Sequence, residues 1–179
     1  MKNFVGIFII ILAVIGIFLF NNNDAGNTLS EYGTKERSGK FDKAPDFTLK
    51  NYEGEEVSLS QFTGKPKIIN SWAMWCPFCV EELPDFTELK KEFGDDIVVI
   101  AIDRKESLKQ AKEFTDSLGV TNNLVFLLDP EDSFYKSIGG FSMPETIFVD
   151  GDNNIIIHKR GFMTFDEMRD KTKQLLEIN

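Results

Sequence analysis

Ser71-Trp72-Ala73-Met74-Trp75-Cys76-Pro77-Phe78-Cys79 decides how this chain is read. Its CxxC holds the chain's 2 cysteines and lies where an apolar strand runs into an amphipathic helix. Ahead of it, Lys67-Ile68-Ile69-Asn70-Ser71-Trp72 reads as a short buried strand; behind it, Cys79, Leu83, Phe86, Leu89 and Phe93 recur at helical spacing. Cys76 therefore falls at a helix start, where unpaired backbone N–H groups and the positive end of the helix dipole favour a thiolate. Pro77 suits the first helical turn, where its missing N–H is not needed. The layout is that of a dithiol centre with Cys76 as nucleophile.

Two blander readings compete with it. A structural zinc site needs about four ligands, yet the sequence has no second CxxC, and its 1 histidine, His158, sits in the separate run Ile155-Ile156-Ile157-His158-Lys159-Arg160, where it reads as an ordinary strand residue. Inert core cysteines fit poorly with two thiols flanking Pro-Phe at a helix N-terminus, a position that suits exchange. No metal or other cofactor is expected.

The 179 residues suffice for one globular domain whose core needs no disulfide staples, which leaves the cysteines free for chemistry. A net charge of −9 and the lack of a Lys/Arg cluster argue against nucleic acid as a partner. Interspersed charges such as Glu88-Leu89-Lys90-Lys91-Glu92 read as a solvated helix face.

Phe4 to Phe20 is apolar apart from Gly6 and Gly16, follows Lys2 and precedes Asn21-Asn22-Asn23-Asp24. That run is near the lower limit for a spanning helix and longer than a signal-peptide core, so residues 1–22 are expected to form an uncleaved signal-anchor, a single transmembrane helix. Positive charge at the N-terminus places that end in the cytoplasm and the remainder on the extracytoplasmic face. Residues 23–43 are polar and read as a flexible tether, and residues 44–179 as the folded domain.

Within that domain the pattern is α/β. Phe47-Thr48-Leu49 and Val57-Ser58-Leu59 flank the turn signal Asn51-Tyr52-Glu53-Gly54 as a hairpin. The helix after Cys76 is expected to end near Gly94. Ile97-Val98-Val99-Ile100-Ala101-Ile102 suits a central parallel strand. A helix over Ser107–Leu118, a strand over Leu124–Leu128 and a short helix over Glu131–Ile138 follow. The strands Thr146–Val149 and Ile155–Arg160 are joined by Asp150-Gly151-Asp152-Asn153-Asn154, and a helix over Thr164–Ile178 ends the chain.

Trp75-Cys76-Pro77-Phe78-Cys79, Ala44-Pro45-Asp46-Phe47 with its hairpin, and Ser142-Met143-Pro144-Glu145-Thr146 before a strand resemble the membrane-anchored thioredoxin-like proteins of the TlpA/ResA group, which includes CcmG-like members. The resemblance runs from about residue 41 to the end. It implies a thioredoxin fold with an N-terminal β-hairpin and a central strand–helix insertion, here Ser107–Leu128. It also implies that Pro144 is a cis-proline facing the dithiol, with Met143-Pro144 offering backbone groups to an extended substrate segment, and that Trp75 forms an exposed rim beside the nucleophile.

Under that resemblance Asn70 stands where thioredoxin has a buried aspartate, and Glu82, three residues beyond Cys79 on the same helical face, matches a glutamate of ResA-like proteins. The implied catalytic set is Cys76, Cys79 and Glu82; the competing reading of Glu82 is a solvated residue like Glu81. Pro84 is expected to kink its helix by removing the bond to Val80. The implied function is an extracytoplasmic thiol–disulfide oxidoreductase that reduces protein disulfides, of apocytochrome c type, with electrons from a DsbD/CcdA-like membrane protein. The alternatives are a disulfide-forming oxidant, a peroxiredoxin-like thiol peroxidase, which Ala73 disfavours because it stands where that chemistry has a threonine, and a non-enzymatic binding module.

Overall fold

The computed structural model describes residues 43–178, so the apolar run at Phe4–Phe20 and nearly all of the tether lie outside the described residues. Among the described residues, no helix is long and apolar enough to cross a membrane.

Seven strands form one sheet. In chain order they are β1 (Thr48–Asn51), β2 (Glu56–Ser58), β3 (Lys67–Trp72), β4 (Val98–Arg104), β5 (Val125–Asp129), β6 (Glu145–Val149) and β7 (Ile155–Arg160), and in space the order is β2-β1-β5-β4-β3-β6-β7. β3, β4 and β5 run parallel, while β1 and β6 join them antiparallel. Among the described residues, four α-helices accompany the sheet: α1 (Pro77–Phe93), α2 (Leu108–Ser117), α3 (Ser133–Ser137) and α4 (Phe165–Ile178).

The burial of β3 explains its composition. A parallel strand covered on both faces needs apolar side chains at successive positions, and every residue of β3 is buried. Ile69 packs on one face with Ile100, Ile102, Leu127, Phe134 and Ile147. Ile68 packs on the other with Phe86, Leu89, Val99, Met168 and Leu175, from α1, β4 and α4. Next to that second cluster, Trp72, Leu83, Ala101, Ala111 and Phe126 enclose the two cysteines. The dithiol thus lies at the end of the central strand.

The expected hairpin is present as β1 and β2, although Leu59 leaves the strand to begin a short 3-10 turn. The expected insertion is α2 followed by β5, which slots between β4 and β1. α2 ends where Gly119 takes φ +70, a conformation glycine adopts without Cβ strain. α3 starts two residues later than the pattern suggests. Asp132 takes a left-handed φ of 57, and the Asp129 carboxylate accepts from Ser133 Oγ at 2.9 Å and from the Phe134 amide at 2.8 Å, which sets the helix start. β4 extends past the apolar run to take in Asp103 and Arg104. Pro84 lies inside α1 on its exposed side.

Candidate active site

Cys76 occupies the N-cap of α1 with extended backbone (φ −98, ψ 101), and its Sγ accepts the Cys79 amide at 3.2 Å. A sulfur in that position faces the unpaired N–H groups of the first turn, the arrangement that stabilises a thiolate. The two cysteines are joined as a disulfide. Cys79 is fully buried and Cys76 retains 3% exposure, so the outer sulfur of the pair belongs to Cys76. Large apolar side chains stand open around it: Trp75 is 63% exposed and Phe78 55%, with the Phe78 ring 5.7 Å from that of Phe162. Trp75 is thus exposed next to Cys76, and Trp72 is core.

The Met143–Pro144 peptide bond is cis. Met143 packs on the apolar cluster that holds both cysteines. The loop leading to it is fastened from two sides. Tyr135 donates its hydroxyl to the Ser142 carbonyl at 3.0 Å, and the Arg104 guanidinium lies 3.4 Å from the centre of the Tyr135 ring. Gly140 passes so close to that ring that a Cβ there would lie 2.4 Å from a ring carbon. From below, buried Glu145 accepts the amides of Phe141 at 2.8 Å and Ser142 at 3.2 Å on Oε2, while its Oε1 meets His158 Nε2 at 2.6 Å and Arg160 Nε at 3.1 Å. Burial alone would raise the Glu145 pKa, but these donors outweigh it and hold the carboxyl below the ordinary glutamate range.

Glu82 is not a solvated helix residue. It is fully buried, unlike exposed Glu81. Its Oε1 accepts the Met163 amide at 2.6 Å, and its Oε2 has no partner. Burial pushes its pKa up to about 8, with the Met163 amide and Lys159 acting in the opposite direction. A carboxyl one turn beyond Cys79 that stays protonated near neutral pH can give and take a proton there. Asn70 is buried and donates its Nδ2 to Thr146 Oγ1 at 2.9 Å, so the strand before the dithiol carries a neutral side chain at that point.

Sequence reasoning missed four polar residues of the site. Glu145 and His158 are hydrogen-bonded across neighbouring strands, brought together because the register of β6 with β7 sets Glu145 opposite Arg160 with His158 two residues along, rather than by any linear spacing. Asp103, fully buried and opposite Trp72 in the β3–β4 register, accepts the Glu106 amide at 3.0 Å. Glu106 in turn accepts the Met74 amide at 3.0 Å. The only linear signal for Asp103 is that it directly continues the apolar run of β4. Among the described residues, no group of three or more His, Cys, Asp or Glu is placed to hold a metal ion.

The Redoxin family model matches residues 40–176. The chain is 34% identical over 132 residues to the thioredoxin-like protein YneN of Bacillus subtilis, covering 72% of this chain and 76% of that one. It is 27% identical over 146 residues to the thiol-disulfide oxidoreductase ResA of Bacillus thuringiensis, covering 80% and 83%. Among solved structures, a Chlorobium tepidum protein described as a thiol:disulfide interchange protein DsbE aligns with a TM-score of 0.70 at 25% identity, over 77% of this chain and 98% of that one. The exposed lipoprotein thioredoxin of Streptococcus pneumoniae aligns with a TM-score of 0.63 at 32% identity, over 73% and 100%. The chain belongs to the Redoxin family, as a TlpA/ResA-like thioredoxin-fold protein with protein-disulfide oxidoreductase activity.

Proposed function

We propose that this Redoxin-family oxidoreductase works as a reductant of protein disulfides on the extracytoplasmic face of a membrane, using Cys76 and Cys79 as its dithiol and Glu82 as the proton carrier. The observation that carries this reading is Glu82, buried one turn beyond Cys79 with an unpartnered oxygen. A reductant must deprotonate its inner thiol once per cycle, and a carboxyl with a pKa of about 8 suits that transfer near neutral pH.

The steps follow from thiol chemistry. The Cys76 thiolate attacks one sulfur of the substrate disulfide; that bond breaks, a Cys76–substrate bond forms, and the departing substrate sulfur takes a proton. Glu82, in its ionised form, then accepts the Cys79 proton, the Cys79 thiolate attacks Cys76 Sγ, the Cys76–substrate bond breaks, and the second substrate sulfur leaves as a thiolate that takes up the proton Glu82 gives back. Two electrons have passed to the substrate, leaving the Cys76–Cys79 disulfide. A donor dithiol returns two electrons and two protons, in the family resemblance a DsbD/CcdA-like membrane protein. Trp75, Met143 and the cis-Pro144 backbone would receive the substrate segment. Apocytochrome c, with its paired haem-binding cysteines, is the substrate that resemblance suggests.

Residues 1–22 are proposed as the anchor, 23–43 as the tether and 44–179 as the working domain. The exposed pneumococcal lipoprotein among the structural relatives supports the outward placement. Protease added to intact spheroplasts should digest the domain while a cytoplasmic control survives; a protected domain overturns the placement. Acid-trapping the chain in living cells tests the direction of electron flow. A predominantly dithiol Cys76–Cys79 pair is expected, and a predominantly disulfide pair would make the protein an oxidant.

A further inference from the structure

Joined to the dithiol loop through the Met74 amide is a pair of carboxyl groups that the reaction scheme does not use. Asp103 ends the buried part of β4, and Glu106 follows in the turn before α2. Their four oxygens divide in two. Asp103 Oδ1 accepts the Glu106 amide at 3.0 Å and Glu106 Oε1 accepts the Met74 amide at 3.0 Å. Asp103 Oδ2 and Glu106 Oε2 are both buried and without any donor. The two side chains face each other at hydrogen-bond range.

Among the described residues, no cation is paired with either acid. Arg104 and Lys105, which separate the two in sequence, turn instead to Asp132, at 2.6 Å and 3.7 Å. The other titratable groups on this side are Tyr52, stacked on Phe126 with its hydroxyl buried, and Asp116 of α2. Burial first, then the neighbouring acids, pushes the Tyr52 phenol up, so it stays neutral and adds no charge. A fully buried acid beside a second carboxyl, with no cation paired to either, resists ionisation.

We propose that Asp103 and Glu106 form a carboxyl–carboxylate pair that shares one proton and positions the dithiol loop through the Met74 amide. A proton between Asp103 Oδ2 and Glu106 Oε2 satisfies both orphan oxygens, and the other two oxygens keep their backbone donors. The result is a rigid link from β4 to Met74, two residues before Cys76. Burial, followed by the hydrogen bond and charge of Glu106, pushes the Asp103 pKa up to about 9. Loss of the shared proton leaves two anions side by side, which drives Glu106 outward into the open cleft of about 460 Å³ that it lines with Met74, Trp75, Arg104, Lys105 and Gln110. The Met74 amide is then released. The pair acts on the reaction only through the loop, so both are positioning residues, and their role rests on the Cys76–Cys79 dithiol being the working centre.

Carboxyl carbon NMR and Met74 amide exchange on the full-length chain test this. The parent should keep one proton on the pair well past pH 7, with the Met74 amide shift moving at the same alkaline midpoint. Asp103→Asn should abolish that midpoint while keeping the Met74 amide protected, because the asparagine NH2 supplies the donor that Glu106 Oε2 lacks. Glu106→Ala should speed Met74 exchange by about tenfold, the scale of one lost hydrogen bond to a charged acceptor. If Glu106→Ala does not fold, Glu106→Gln, which preserves the Met74 acceptor, should show no alkaline midpoint, and its persistence overturns the pair. Ionisation of both acids below pH 6, or Met74 exchange unchanged by Glu106→Ala, also overturns it. Insulin reduction by the parent separates the two readings: its absence sinks the proposed function whatever the carboxyls do, whereas its presence with ordinary acid titrations sinks only the pair.

Discussion

The amide of Met163 donates to Glu82 Oε1 at 2.6 Å, so a loop after β7 sets the orientation of an acid on α1 and leaves that acid's other oxygen enclosed without a donor. The burial of this acid ties the proton state of the site to the stability of the fold, with the Met163 amide acting in the opposite direction.

Glu82 should make the domain less stable as pH rises. Its carboxyl ordinarily titrates at 4.5, but burial in the folded protein raises that to about 8. The folded state therefore holds the proton more tightly than the unfolded chain. The associated stability is fully present below about pH 4.5 and is lost as pH rises through 8. Glu82→Gln cannot ionise, so its stability between pH 5 and pH 8 should fall less than the parent's, by on the order of 3 kcal/mol. Denaturant unfolding at the two pH values checks this, and equal slopes for parent and variant would remove Glu82 from the pH response.

The same substitution should affect chemistry. Above about pH 8, where Glu82 is ionised in the parent, removing its negative charge eases thiolate formation, so the alkaline part of the dithiol titration should move down. Removing a proton carrier should slow resolution by perhaps ~10²-fold, so mixed disulfides should accumulate with an insulin substrate. Exposed Glu81 offers the control. A Glu81→Gln variant that reproduces these changes while Glu82→Gln leaves them untouched would move the acid elsewhere.

The cysteines should differ in order of attack. Brief iodoacetamide treatment of the reduced chain should label Cys76 ahead of fully buried Cys79. Cys79→Ala should retain a substrate on Cys76 as a stable mixed disulfide. Faster labelling of Cys79 would reverse the assignment.

Glu145 should matter for folding and for substrate capture together. Glu145→Ala leaves the Phe141 and Ser142 amides and the side chains of His158 and Arg160 without their acceptor. Breaking a buried charged cluster in this way costs about 3–5 kcal/mol. Glu145→Gln keeps an acceptor for the amides and should cost less than half of that. Where the variants fold, KM for a protein disulfide should rise more than kcat falls, because the loop before Pro144 loses its fastening. Unchanged stability in Glu145→Ala would show that the cluster does not hold the loop.

The periodic parts of the molecule were readable from the chain itself. Ile68 and Ile69 alternate between the two faces of the sheet, and the heptad-like spacing from Cys79 to Phe93 gives α1, because burial imposes those periods. Helix and strand ends were less legible where a side chain intervenes, as Asp129 does at the start of α3. The dithiol was legible because helix-start chemistry is local. The environment of Glu82 was not: its carboxyl meets a backbone group 81 residues away, and that separation has no trace in spacing. Glu145 was hidden for the same reason, since strand pairing brings His158 and Arg160 to it; Asp103 has its partner only three residues on, in a turn whose geometry spacing does not show.

A protein-disulfide oxidoreductase that meets other chains risks having them extend its own sheet. The outer strand β2 is only 3 residues long, from Glu56 to Ser58. At the other margin, β7 carries His158, Lys159 and Arg160, with Lys159 held by Glu167 of α4 at 2.8 Å. Short length and inward-tied charge are what discourage strand-to-strand aggregation. With both margins of the sheet blunted, the exposed aromatic side chains of Trp75 and Phe78 beside Cys76 stand apart from any strand edge, so an apolar contact made there does not lengthen the sheet.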